Sequence, residues 1–173
     1  EKNQFGQPIF KINEPGEITA QQWIELKNIG IIGSKIIPAH LVYFGLRDFE
    51  TAEKQIIDQH EILFFEVEET REKGLEICIQ KALKQLNSCD QIYISFDVDS
   101  LDCDRVSYGT GTPVPIGFSS GEIKELLARF IATKKVCCVE FTEVNPLLDN
   151  KGNKMAETAF EILDQLVVDL MRT

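Results

Sequence analysis

Three carboxylates lie close together at the end of an apolar run in the middle of the sequence. The run from Ile92 to Phe96 is rich in β-branched and aromatic residues, which is typical of a buried strand, and Asp97, Asp99 and Asp102 follow it. Side chains alternate along a strand, so Asp97 and Asp99 are predicted to share one face. Neighbouring buried carboxylates repel each other and need a positive partner. A hard divalent cation is the simplest such partner, although a single strand-terminal Asp is more often a turn or cap residue.

Apolar patterning predicts the elements that position these acids. Continuous apolar runs predict buried strands, and apolar residues spaced by three and four predict one-sided helices. The predicted strands are 41–45, 62–65, 91–97 and 136–139, and the predicted helices are 52–59, 75–86, 120–131 and 156–170, with a further short helix opened by the capping box Thr19-x-x-Gln22. This alternation favours an α/β fold, in which helices cover both faces of a parallel sheet.

Acidic residues follow three of the predicted strands. In open parallel sheets, ligands bind beyond the carboxyl ends of the strands. These acids are Asp48, Glu50 and Glu53, then Asp97, Asp99 and Asp102, then Glu140 and Glu143. The sequence therefore predicts that one edge of the sheet gathers carboxylates, and the alternative is a set of solvated loop charges.

Composition narrows the class of protein. The 173 residues suit one domain, and 28 Asp and Glu against 18 Lys and Arg give a net charge of −10. This balance argues against a nucleic-acid surface and is compatible with a cationic small substrate. The five cysteines contain no Cys-x-x-Cys pair, which predicts reduced thiols and a cytoplasmic protein. No apolar run approaches the length of a membrane span, so no membrane partner is expected.

Three motifs, in this order, resemble the C-terminal motifs of the ureohydrolases, the family of arginase, agmatinase and formimidoylglutamase. They are Ser95–Asp102, Gly109–Pro113 and Glu143–Pro146. Upstream, Val42–Asp48 is similar to the corresponding arginase strand, and Glu-Val-Asn-Pro resembles the arginase form of its motif. The resemblance implies an arginase-like three-layer α/β/α fold with a mainly parallel sheet. It also implies that residues 1–173 form a single domain that is the C-terminal portion of a longer one.

The resemblance also implies an enzyme and its chemistry. Ureohydrolases hydrolyse a guanidino substrate with a hydroxide that bridges two Mn²⁺ ions, and the closest match implies conversion of L-arginine to L-ornithine and urea. Two alternatives remain: a catalytically silent arginase-like subunit, and a hydrolase of the agmatinase or formimidoylglutamase type. Related proteins assemble as homotrimers or hexamers, which implies a homo-oligomer here.

Several residues match functional positions of that family. Asp97 and Asp99 match one pair of metal-ligand aspartates, with Asp97 bridging both ions. Glu143 matches the catalytic glutamate that pairs with the guanidinium, and Thr112 matches a threonine that lines the same pocket. Three further acids match those that reach the α-amino group of L-arginine: Asp48, Glu50 and Glu53.

The sequence also departs from the family pattern. The upstream histidine and the Asp-x-His-x-Asp motif that supply the other metal ligands are absent, and His40 and His60 have no matching neighbourhood. The chain is therefore expected to begin just after the missing motif. Phe5 stands where arginases have a proton-shuttling histidine, Glu1 where they have a serine near the substrate carboxylate, and Cys103 where a proline is usual.

Two other classes of site fit the central aspartates less well. Asp97-x-Asp99 after an apolar strand resembles a phosphatase of the haloacid dehalogenase kind, but Leu101 stands where that family has Thr or Val. A calcium-binding EF-hand loop needs glycine at the position of Asp102.

Overall fold

The computed structural model describes residues 40–48 and 50–172. The helix predicted from Thr19-x-x-Gln22 and the substituted positions Glu1 and Phe5 lie outside these residues. The remaining predicted strands and helices can be compared with the structure.

Strands and helices alternate along the described part of the chain. The strands are β1 (Val42–Phe44), β2 (Leu63–Phe65), β3 (Ile92–Asp97) and β4 (Val136–Thr142). The α-helices are α1 (Thr51–Gln59), α2 (Val67–Lys73), α3 (Leu75–Gln85), α4 (Ser120–Ile131) and α5 (Lys154–Arg172). All four strands and the four helices predicted within these residues are present. The short helix α2 was not predicted, because seven residues of which five are charged show little apolar periodicity.

The strands form two parallel pairs. Val42 lies opposite Leu63 in the β1–β2 pair. In the β3–β4 pair the register runs from Ile92 opposite Val136 to Asp97 opposite Thr142, with an irregularity after Ile92. No strand hydrogen bonds join the two pairs within the described residues. Because parallel neighbours are connected through helices, this arrangement confirms the α/β prediction.

Both strand pairs contribute to one apolar core. Phe65 of β2, Phe96 of β3 and Ile162 of α5 are all almost fully inaccessible to solvent and belong to the same cluster. The ring of Phe44 lies 4.9 Å from that of Phe65 and 6.1 Å from that of Phe130 in α4. Burial of this shared core holds the two pairs together, since burial of apolar surface dominates folding.

A predicted capping box begins α4. The Ser119 amide donates to the Glu122 carboxylate at 2.7 Å, and the Glu122 amide donates to the Ser119 hydroxyl at 3.2 Å. Arg71 of α2 donates to both carboxylate oxygens of Glu122, at 2.9 and 3.0 Å, and to the Gly117 carbonyl at 2.9 Å. The first turn of α4 is therefore held both by its own capping box and by Arg71 of α2.

The central strand β3 differs from its prediction in one respect. An apolar run predicts burial on both faces, but Ile92 and Phe96 are buried whereas Tyr93 and Ser95 are exposed. The Ser95 hydroxyl donates to the Glu140 carboxylate at 2.7 Å, so polar side chains of β3 and β4 meet on the exposed face of this strand pair. Glu140 thus lies within β4 on this outer face and not at the strand's carboxyl end, contrary to the prediction.

Candidate active site at the carboxyl ends of the strands

The central aspartates lie on a turn and not on a continuous strand. β3 ends at Asp97, and Val98–Ser100 form a single 3₁₀ turn. The Asp99 amide donates to Asp97 Oδ1 at 2.8 Å, which makes Asp97 the N-cap of that turn. The prediction that Asp99 continues the strand is therefore wrong, and strand alternation does not relate the two side chains. The turn still keeps the two carboxylates adjacent.

Two threonine hydroxyls hold the side chain of Asp99. Thr110 Oγ1 donates to Asp99 Oδ1, and Thr112 Oγ1 donates to Asp99 Oδ2. Hydrogen bonds to an ionised acceptor are stronger than neutral ones, so both carboxylate oxygens are oriented by the loop. Sequence reasoning selected Thr112 and missed Thr110. The repeat Gly-Thr-Gly-Thr was the signal that could have identified it, since it places a second hydroxyl two positions away.

Glu143 is brought against the same loop by a strained backbone. It follows β4 directly and has a φ of 64°, a conformation uncommon for residues other than glycine. Its Oε2 lies 3.3 Å from the position that a Cβ on Gly111 would occupy, so it contacts the loop between the two threonines. The Asn145 amide donates to the Gly109 carbonyl at 2.8 Å and fixes the two loops together. The structure therefore gathers Asp97, Asp99, Thr112 and Glu143, as the motifs predicted.

The electrostatics of this cluster favour a cation. Burial raises the pKa of the Asp97 carboxyl above its ordinary value, and the charge of Glu143 raises it further. Burial also raises the pKa of the Asp99 carboxyl, which the hydrogen bond from Thr112 partly offsets. The guanidinium of Arg47 lowers both pKa values, although burial outweighs it. A bound cation would relieve the remaining repulsion.

The donor set suits part of a site for a hard divalent cation. Carboxylate oxygens are ligands that such cations favour, and Asp97 and Asp99 supply them side by side. Within residues 40–48 and 50–172, no group of three or more His, Cys, Asp or Glu side chains is arranged to hold a metal ion. These residues therefore fit a contribution to the centre but do not complete it.

The third aspartate of the motif has a different position. Asp102 is 6% exposed, and its Oδ1 accepts from the Asp104 amide at 3.0 Å. Its other oxygen lies 3.5 Å from Arg105 Nε. Asp102 is thus a turn-forming aspartate, which is the role that a strand-terminal Asp most often has.

The three acids after β1 lie around the start of α1. Glu50 is the N-cap of this helix, and its amide donates to Glu53 Oε2 at 2.7 Å in a reciprocal capping box. Asp48 is exposed and has a φ of 55°. No hydrogen bond in the described part of the chain joins Glu50 or Glu53 to the Asp99 cluster. Their contact with a substrate α-amino group therefore stays a prediction.

The comparison with known proteins agrees with these motifs. The model of the Arginase family matches residues 3–168. The chain belongs to the arginase family. The arginase of Bacillus subtilis (strain 168) is 32% identical over 142 residues, which cover 82% of this chain and 47% of that protein. This arginase-family chain thus spans about half the length of the curated relatives it matches.

Solved structures confirm the fold of this family member. Helicobacter pylori arginase matches with a TM-score of 0.79 and 32% identity, over 92% of this chain and 52% of that chain. Formimidoylglutamase from Bacillus subtilis matches with a TM-score of 0.73 and 26% identity, over 86% of this chain and 46% of that chain. The predicted arginase-like α/β fold is therefore confirmed. None of the helices in the described residues is both long and apolar enough to span a bilayer.

Proposed function

We propose that this chain belongs to a binuclear manganese hydrolase of guanidino substrates that converts L-arginine to L-ornithine and urea. The observation that carries the proposal is the meeting of Asp97, Asp99 and Glu143 beyond the carboxyl ends of β3 and β4. The ends of parallel strands are the common ligand site of such sheets. A cationic substrate and metal cations both suit a site with this excess of carboxylates.

Each residue of the cluster has a proposed task. Asp97 and Asp99 would hold Mn²⁺, which when bound lowers the pKa of a water molecule and polarises the substrate. Glu143 would pair with the substrate guanidinium through charge-assisted hydrogen bonds and orient its central carbon. Thr112 would line the pocket while its hydroxyl orients the Asp99 carboxylate.

The opposite end of L-arginine carries an ammonium group that needs its own partners. Asp48, Glu50 and Glu53 follow β1 and would receive it, directly or through water. The capping contact between Glu50 and Glu53 favours water-mediated recognition, because it already uses an oxygen of Glu53.

Substitution of Glu143 tests the proposed chemistry. Glu143→Gln removes the negative charge and keeps the shape, so Mn²⁺ binding should persist while kcat/KM for urea release from L-arginine falls about 100-fold. The matched control is Glu161→Gln on the exposed face of α5, which should leave turnover unchanged. Unimpaired turnover of Glu143→Gln would exclude its role as the guanidinium partner.

Substitution of a proposed metal ligand tests the manganese assignment. In the complete protein, Asp97→Asn should abolish tight Mn²⁺ binding, measured by metal analysis after dialysis. Two tightly held Mn²⁺ ions in that variant would overturn the assignment of Asp97.

A catalytically silent arginase-like subunit is the second candidate. It is favoured by Phe5 and Glu1, which stand where arginases have a proton-shuttling histidine and a serine near the substrate carboxylate. The upstream sequence of the complete protein separates the two: a histidine and an Asp-x-His-x-Asp motif there support the hydrolase, and their absence there supports the silent subunit. Urea release from L-arginine and agmatine, and hydrolysis of formimidoylglutamate, then separate arginase from the two related activities.

We also propose a cytoplasmic homo-oligomer, either a trimer or a hexamer. The compartment is supported by the five cysteines, all of which are free thiols. Light scattering of the purified protein tests the assembly.

A further inference from the structure

An arginine that follows β1 makes an unusual set of contacts. Arg47 is half-buried, and its guanidinium and Nε donate to main-chain carbonyl oxygens at distances between 2.6 and 3.4 Å. These acceptors belong to Gly45, Asp99, Ser100, Leu101, Val114 and Pro115. Among the described residues, no carboxylate lies within ion-pair distance of it. Its contacts are therefore to peptide dipoles and not to a charged side chain.

The acceptors come from three separate segments. They are the end of β1, the turn after β3, and residues 114–115 of the loop before α4. Buried carbonyls need donors, and arginine presents five N–H groups in a planar fork that can reach several at once. Lysine carries three donors on one nitrogen and cannot span the same set. The contacts thus require arginine specifically.

Two of these contacts lie on either side of the hydrogen bond between Thr112 and Asp99. Arg47 Nη2 donates to the Asp99 carbonyl at 2.6 Å and to the Val114 carbonyl, two residues after Thr112, at 2.9 Å. The same nitrogen therefore links the main chain that carries the acceptor to the main chain that carries the donor.

Other bonds already secure the fold at this place. The Phe118 amide donates to the Ser100 carbonyl at 2.8 Å, and the Asp102 amide donates to the Phe118 carbonyl at 2.9 Å. These bonds join the turn to the later part of the loop and do not involve Arg47. What Arg47 adds is the fixed spacing between Asp99 and the Thr112–Val114 segment.

We propose that Arg47 is a positioning residue, whose guanidinium sets the register between the Asp99 carboxylate and the Thr112 hydroxyl and so pre-orients Asp99 toward its cation. The inference deepens the proposed function and rests on it for the identity of the cation. Residues that orient a metal ligand commonly change metal affinity by about 10–100-fold when they are replaced.

The test compares Arg47→Lys, Arg47→Gln and a destabilising control. The control is Ile79→Val, a truncation at a fully buried position of α3 that takes no part in the hydrogen bonds of Arg47. Titration of each complete, folded protein with Mn²⁺, followed by electron paramagnetic resonance, should show at least tenfold weaker binding in both Arg47 variants and unchanged binding in Ile79→Val. Binding in Arg47→Lys equal to that of the wild type would overturn the proposal.

A double-mutant cycle adds a measurement that distinguishes a positioning role of Arg47 from a purely structural one. If Arg47 acts through Thr112, the losses in Mn²⁺ affinity from Arg47→Lys and Thr112→Val should be strongly non-additive, whereas independent roles should add. Additive losses would overturn the proposed register.

Hydrogen exchange separates failure of this inference from failure of the proposed function. In the metal-free protein, the amides of Asp99, Thr112 and Val114 should exchange at least tenfold faster in Arg47→Lys than in the wild type or in Ile79→Val. A complete wild-type protein that binds no Mn²⁺ would refute the proposed function while exchange still decides the role of Arg47. Unchanged exchange in both Arg47 variants refutes that role, whatever the metal result.

Discussion

The ion pair between Arg71 and Glu122 predicts an acid-sensitive contribution to stability. Hydrogen bonds from Arg71 lower the pKa of the Glu122 carboxyl from 4.5 to about 2. Glu122→Gln removes the charge but keeps an oxygen that can accept from the Ser119 amide, because glutamine also serves in a capping box. The substitution therefore isolates the ionic part of the interaction between α2 and α4.

The size of the effect follows from these contacts. A pKa that falls from 4.5 to about 2 on folding corresponds to about 3 kcal/mol, at 1.36 kcal/mol per pKa unit. The side chains of Arg71 and Glu122 are 35% and 26% exposed, so solvent screens their interaction. We therefore expect Glu122→Gln to lower the free energy of unfolding at pH 7 by about 1–2 kcal/mol, or Tm by about 2–8 °C.

The dependence on pH has a definite sign. A carboxyl whose pKa is lower in the folded state stabilises the protein fully above its unfolded pKa, and the contribution is lost as the pH falls toward the folded pKa. The difference between the wild type and Glu122→Gln should therefore be constant near neutral pH and shrink between about pH 5 and pH 2.

Urea unfolding followed by circular dichroism at several pH values measures this difference. Glu125→Gln is the matched control, because Glu125 lies on the exposed face of the same helix. Equal stability of the wild type and Glu122→Gln at pH 7, or a difference that persists unchanged at pH 3, would refute the reasoning.

Two further substitutions, with Gly121→Ala as a control, test how the loops around the site are held. Gly117→Ala would place a Cβ 2.3 Å from the carbonyl carbon of Leu101, where backbone must move, so we expect a loss of about 1–3 kcal/mol or more in thermal unfolding. Gly121→Ala, where the nearest atom to the new methyl group is Ser119 Oγ at 3.9 Å, should be neutral or slightly stabilising, and equal losses at both positions would contradict the steric argument. Asp149→Ala removes the 2.8 Å acceptor of the Met155 amide at the start of α5, and should cost about 1–2 kcal/mol. A change in the denaturation midpoint too small to measure would show that Asp149 does not cap this helix.

Local patterns were sufficient for most of the secondary structure. The apolar stripe of α4 and its capping box at Ser119 and Glu122 lie within a few residues of each other, so propensity and spacing specify both. The same holds for β4, whose apolar residues predicted a strand at the right place although the strand extends three residues further, to Thr142. Strand ends are harder to predict because register with the partner strand decides them.

The residues of the site could also be predicted, because the motifs that contain them and the order of those motifs are read directly from the sequence. Asp97, Asp99, Thr112 and Glu143 were selected from their motifs, and the structure places them together. The relative placement of the Asp97 and Asp99 side chains could not be predicted from strand alternation. A 3₁₀ turn begins after Asp97, so the extended strand does not continue to Asp99.

The sequence by itself therefore determined the element order, the family and the acids of the site, because each depends on residues near one another in the chain. Only the tertiary structure decided how those acids are supported. Arg47 lies more than 50 residues from the Asp99 carbonyl and 67 from the Val114 carbonyl that it binds. Contacts over such separations depend on how β1, the turn after β3 and the loop before α4 pack together, and no local pattern encodes that packing.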